Sequence, residues 1–97
     1  MPNDETEPFA DLQDLIGEDV VVDTKSPLIY IGKLEKITQS AFVLSDVDVH
    51  DHSESHTTRD VYLVDTKKLG IRKNRDRAHI LAREVVSISR LADIIEY

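Results

Sequence analysis

The spacing of apolar residues changes abruptly at Gly17. Before it, Phe9, Leu12, Leu15 and Ile16 fall at i, i+3, i+6 and i+7, with Asp11, Gln13 and Asp14 on the other side. That spacing predicts an amphipathic α-helix of about two turns, with Thr6 as N-cap and Pro8 in its first turn. After Gly17 comes Val20-Val21-Val22, a β-branched run closed by Thr24-Lys25-Ser26-Pro27, which reads as a strand and then a turn. A helix of two turns does not stand alone in water, so its apolar stripe must dock on the strands that follow.

The period of two then persists. Ile29, Ile31 and Leu34 to Ile37 make a second strand interrupted by Gly32, and a glycine inside a strand marks a bend or bulge. Thr38-Gln39-Ser40 is a turn, and residues 41–49 form a third strand whose second half turns polar through Asp46 and Asp48. Residues 51–58 read as a loop. Residues 59–69 read as a helix, because Thr57 or Thr58 suits its N-cap, Lys67-Lys68 its last turn and Gly70 the position past its end. Two more strands follow, over 78–82 and 85–91, split by Arg83-Glu84, and Leu91, Ile94 and Ile95 form a last apolar patch. Five short, bent strands in 97 residues bury too little as a flat sheet, whereas a small barrel solves both burial and edges. The expected core is Phe9, Leu12, Ile16, Val20, Val22, Ile31, Leu34, Val43, Leu44, Ile80, Val85 and Ile88.

This order and spacing resemble the Sm/LSm family of small β-barrels. The residues that carry the resemblance are Gly17, Val20 and Val22, Gly32-Lys33-Leu34 and Val43-Leu44-Ser45-Asp46 in a first segment. In a second they are Ile80-Leu81-Ala82-Arg83-Glu84-Val85-Val86-Ser87-Ile88. They cover roughly residues 8–49 and 78–91. The resemblance implies a mainly β, five-stranded Sm-like barrel with an N-terminal α-helix and a helical insertion between the third and fourth strands. The implied organisation is a flexible acidic stretch over 1–7 and a single domain over 8–97, with the insertion at about 50–77. The family's usual ligand is another matter. Its RNA-binding Asp, aromatic, Asn and Arg would fall on Thr38, Ser40, Ala41 or Phe42, and Leu81. The Tyr-Lys-His signature of its bacterial RNA chaperones would fall on Leu81, Ala82 and Arg83. A pocket that stacks and hydrogen-bonds uracil cannot be built from Leu81 and Ala41, which carry no donor, acceptor or ring.

Charge is segregated along the chain. Against a net charge of −7, residues 1–24 hold eight acids and no base, whereas residues 67–90 sum to +6. The densest cationic stretch holds Lys67, Lys68, Arg72, Lys73, Arg75 and Arg77, the candidate nucleic-acid contacts of the chain. The alternative is a solvated basic turn that pairs with the protein's own acids, and the lack of an aromatic in the stretch favours it. His50, His52 and His56 lie among four carboxylates and could supply nitrogen ligands to Zn²⁺ or Ni²⁺. They lack helical spacing and cysteine partners, and the reading adopted is a hydrated loop with no metal site and no cofactor.

Catalysis finds little support. There is no cysteine, no Gly-x-Ser-x-Gly turn and no glycine-rich phosphate cradle, and Asp46 and Asp48 read as surface groups on a solvated strand end. No uncharged run approaches the roughly 20 residues of a membrane span, and the acidic opening has no basic n-region of a secretion signal. The expectation is therefore a cytoplasmic, non-enzymatic interaction module without membrane or small-molecule partner. It would associate with copies of itself through strand edges, with atypical RNA binding through residues 67–77 as the alternative.

Overall fold

The computed structural model describes residues 7–54 and 57–96. Five strands, β1 (Asp19–Thr24), β2 (Leu28–Ile37), β3 (Ala41–Asp51), β4 (Arg75–Leu81) and β5 (Val85–Arg90), form one antiparallel sheet in the order β4-β3-β2-β1-β5. Helix α1 (Arg59–Leu69) lies in the connection between β3 and β4. Thr58 caps α1 by accepting from the Val61 amide at 3.2 Å, and Gly70 closes it at φ 100°, a backbone region costly to any residue with a Cβ. Among the described residues no helix is long and apolar enough to cross a membrane.

The N-terminal helix is corrected from α to 3-10. It spans Ala10–Leu15, and Ile16 is already extended at φ −62° and ψ 130°. The sequence spacing explains the outcome. Phe9, Leu12 and Leu15 repeat every three residues, the period at which side chains of a 3-10 helix eclipse. Gly17 then donates its amide to the Leu34 carbonyl at 2.8 Å, which ties the chain to β2 before another turn can form. Thr6, the expected cap, and residues 1–6 of the expected flexible stretch lie outside the described residues. Two expected core residues are exposed as a result: Phe9, despite its ring contact with Phe42 at 5.1 Å, and Ile16.

The core has two parts, one on each face of the sheet. Val20, Val22, Leu34, Ile37, Phe42, Leu44, Val47 and Ile80 fill the concave interior, with Leu12, Leu15, Val85 and Ile88 packed against them. On the outer face, Val21, Ile29, Ile31 and Leu91 are buried under Leu63 of α1. This second cluster includes Val21, Ile29, Leu63 and Leu91, which the sequence pattern leaves out. A run of three valines covered on both sides has no alternation to read. Val43 is buried as expected, but it points to the outer face, between Lys36 of β2 and His79 of β4.

Two irregularities bend the sheet. Asp46 takes φ 51°, a left-handed conformation inside a strand, and the β2–β3 register slips by one residue there. After it, Val47 turns inward while Asp48 points to the outer face beneath α1. Gly32 sits opposite this kink. A Cβ on it would lie 2.9 Å from the Ser45 carbonyl oxygen and 3.2 Å from the Val47 Cα. The glycine is needed for the close approach of two backbones. Gly32→Ala should destabilise the protein by about 1–3 kcal/mol, the usual cost of overpacking. A thermal melt followed by circular dichroism checks this, and an unchanged midpoint would contradict it.

Candidate functional site

The basic stretch of residues 67–77 does not form one patch. Lys67 and Lys68, on the last turn of α1, turn toward the C-terminal segment. Lys67 Nζ donates to the Ile94 carbonyl at 2.6 Å and lies 3.7 Å from Glu96, and Lys68 lies 3.9 Å from the same carboxylate. The Arg72 guanidinium sits 5.4 Å from the centre of the Tyr62 ring, a cation–π contact. Lys73 bridges Asp46 and Asp76 at 3.1 Å each, and these hydrogen bonds, Asp46 first, hold its ammonium above its usual range. Arg75 and Arg77 are the exception. Both are exposed on β4, and among the described residues neither pairs with a carboxylate; Arg75 donates only to the Asn74 carbonyl. The stretch is therefore partly a self-neutralised turn and partly the start of an edge strand.

The register adds cations that lie far away in sequence. Lys33 of β2, Ser45 of β3 and Arg77 of β4 are direct cross-strand neighbours, as are Lys36, Val43 and His79. Residues three apart on a strand normally face opposite ways. Here the register shifts between Leu34 and Lys36, so Glu35 is an extra residue and Lys33 and Lys36 share the outer face. Glu35 accepts a 2.5 Å hydrogen bond from Ser45 Oγ. The sequence carried the signal for these lysines only in the strand pairing, which no local pattern reveals.

At the other end of the outer face, α1 is fastened by polar groups. Arg59 donates from Nε and Nη2 to Asp23 Oδ1 at 2.9 and 2.6 Å and from Nη2 to Oδ2 at 2.5 Å, and Ser87 Oγ donates to the same carboxylate at 2.9 Å. Tyr62 stacks on His50, rings 3.6 Å apart and 9° from parallel, and its hydroxyl donates to Asp48. Asn74 Nδ2 donates to the other Asp48 oxygen at 3.2 Å, and the Asn74 side chain also bonds both backbone groups of Val49. Asp48 is therefore not the solvated surface group its sequence context suggests but a carboxylate only 3% exposed. Asp46 is the kink residue and pairs with Lys73, whereas Asp48 lies beyond it beneath Tyr62, so the two carboxylates have different partners. His50 is taken up by the Tyr62 stack, and His56 lies outside the described residues. Among the described residues no cluster of His, Asp or Glu has the arrangement of a metal site.

The turns onto which the Sm resemblance carries its RNA-binding positions lie side by side. Leu81 pairs with Ala41, and the Ala82 amide donates to the Ser40 carbonyl at 2.8 Å, so the two turns do come together. Thr38 Oγ1 spends its hydrogen bonds on the backbone of its own turn, accepting from the Ser40 and Ala41 amides and donating to the Ala41 carbonyl. The recess beside them is lined mainly by apolar groups, among them Phe9, Leu12, Phe42, Val85 and Ile88, with Ser87 as its one polar side chain.

No protein-family model matches the chain, and neither does any curated protein. Solved structures do. The fold is similar to an Sm protein of Pyrococcus abyssii, whose structure is in complex with a uridine heptamer. Identity is 19% over 87% of this chain and 97% of that one, with a TM-score of 0.60. It is also similar to a chain of the NatC complex bound to Gag peptide and CoA, at 19% identity over 79% of this chain and 86% of that one, with a TM-score of 0.51. The protein has an Sm-like fold, mainly β with five antiparallel strands.

Tyr62 gives this junction a pH dependence. Burial, then the hydrogen bond to Asp48, raises its hydroxyl above the ordinary range of a tyrosine. The neutral phenol is thus favoured in the folded state. Its contribution is complete at neutral pH and is lost as pH rises through 10 toward the folded value. Tyr62→Phe should cost about 1–3 kcal/mol at neutral pH by leaving Asp48 one donor short. It should also remove part of the alkaline loss of stability, which urea titrations at neutral and alkaline pH would measure.

Proposed function

We propose that the chain is a non-enzymatic Sm-fold interaction module that associates with copies of itself through the two outer strands of its sheet. The observation that carries this reading is the strand order, in which β4 and β5 each have one neighbour and therefore one free row of backbone donors and acceptors. The largest apolar groups left in the open on these strands, Leu81 on β4 and Val86 on β5, support the same reading. So does the split between the acidic first 24 residues and the basic stretch, which suits a head-to-tail contact between unlike surfaces. Helix α1 is laid over the face of β1 and β2, where Leu63 is buried, and so is not spent on covering β4. The cytoplasmic setting expected of the sequence belongs to this reading.

Light scattering coupled to size exclusion tests it. A mass that is a multiple of 11.0 kDa, lowered by Val86→Glu, is the expected result, and a single 11.0 kDa species at high protein concentration would overturn the proposal.

RNA binding is the second reading, favoured by the unpaired Arg75 and Arg77 and by the uridine heptamer in the archaeal structure. Binding of oligo(U) or oligo(A) that weakens with salt and is lost in Lys73→Glu/Arg75→Glu is expected if it holds. No binding at low salt would exclude it.

A further inference from the structure

The kink at Asp46 and the bulge at Glu35 divide the outer face of the sheet into two halves. One is covered by α1. The other, across β2, β3 and β4, is open and carries Lys33, Lys36 and Arg77, with Arg75 two residues further along β4. We infer that this open half is a contact surface for the phosphate backbone of single-stranded RNA, with Lys33, Lys36 and Arg77 as the contacting cations. The inference rests on the RNA-binding reading and moves its site from the basic stretch to the sheet face.

The first support is electrostatic. Nineteen acids face twelve Lys and Arg in this chain, and Arg59, Lys67, Lys68, Lys73 and Arg90 each have a carboxylate within reach. Among the described residues Lys33, Lys36 and Arg77 have none, although Asp19 lies across from Lys33 on β1 and Glu35 sits between the lysines. Across these three adjacent strands Lys33, Lys36 and Arg77 stand against Glu35, which Ser45 holds, and Asp19, so the face carries a small positive excess on a chain that is acidic as a whole.

The second support is spacing. Strands lie about 4.8 Å apart and residues of one face about 7 Å apart along a strand, so Lys33 and Arg77 stand about 10 Å apart in one row. Lys36 opens the next row, about 7 Å along the strands from the first. Long, flexible side chains on such a grid can follow a phosphate chain laid across the strands. Ser45, whose hydroxyl donates to the Glu35 carboxylate, and Val43 lie between the cations, and Leu81 gives an apolar border to the face. Apart from His79 no ring borders it, so the contact is made by charge and is indifferent to base. That separates it from the uracil pocket that the family resemblance implies, two of whose positions are held here by Leu81 and Ala41.

Fluorescence anisotropy with labelled uridine and adenosine oligomers of about 12 nucleotides tests the inference. Three phosphate contacts on a single strand give a salt slope near −2, so affinity should fall about 20-fold between about 50 and 200 mM salt, alike for both oligomers. Lys33→Gln/Lys36→Gln/Arg77→Gln should weaken binding at least tenfold and flatten the slope. Lys67→Gln/Lys68→Gln should change neither, and Lys33→Arg/Lys36→Arg/Arg77→Lys should restore both. Circular dichroism establishes that each variant is folded. Wild-type affinity in the triple glutamine variant, with binding still lost in Lys73→Glu/Arg75→Glu, would overturn this inference and leave RNA binding through the basic stretch intact. No binding of either oligomer at low salt would overturn both. If the glutamine variant instead breaks up an oligomer while RNA affinity is unchanged, the face belongs to the acidic N-terminal segment of a second copy, and the inference is equally overturned.

Discussion

The close passage of Gly32 beneath the Ser45 carbonyl determines how the rest of the molecule is arranged. With no side chain on Gly32, β3 can take a left-handed residue at Asp46, and the alternation of β3 reverses there. Before the kink, Phe42 and Leu44 face inward; after it, Val47 does. The polar residues Asp48 and His50 are thereby delivered to the outer face, under α1, and Ser45 remains in the open half. A straight β3 would have carried Val47 to the outer face and Asp48 into the apolar interior, where a carboxylate without partners is far too costly to bury.

Helix α1 is attached by a different balance of forces from the strands. Only Leu63 and Thr66 are fully buried on it, and Thr66 donates back to the Tyr62 carbonyl of its own helix. The helix is oriented instead by charged and aromatic groups: Arg59 on Asp23, Tyr62 on His50 and Asp48, Lys67 on the Ile94 carbonyl. Such contacts contribute less net stability than their number suggests, because each exchanges hydrogen bonds with water. They are directional, however, and fix which way the helix lies over an apolar surface that would accept several orientations. The buried Asp48 has two donors and no cation among the described residues, so the junction rests on hydrogen bonding rather than on a salt bridge.

Local periodicity revealed the elements that depend on local chemistry. The helix bounds, its threonine cap and closing glycine, and the valine strand after Gly17 were all legible, because each follows from residues within a few positions. The 3-10 turn differs from the α-helix that the spacing predicts because Phe9, Leu12 and Leu15 keep a period of three, and only Ile16 suggests the longer one. The outer cluster of Val21, Ile29, Leu63 and Leu91 was not legible, since a helix 40 residues from β1 covers it. For the candidate site, the stretch 67–77 reads as a turn ahead of a strand beginning at 78, whereas β4 begins at Arg75 and carries both Arg75 and Arg77, and the lysines grouped with them are paired to Glu96, Asp46 and Asp76. Lys33 and Lys36 join Arg77 only through register and a bulge, properties of strand pairing rather than of any stretch of sequence.

The unpaired edges of β4 and β5 have a colloidal consequence. A free strand edge is a template for any other chain, and Leu81 and Val86 add an apolar incentive to bind. At neutral pH the net charge of −7 makes copies repel one another at long range, so only a contact that aligns unlike charges can bring two edges together. That selectivity disappears as the solution approaches the isoelectric point near 4.9. There the repulsion vanishes while the edges stay open, which favours indiscriminate precipitation.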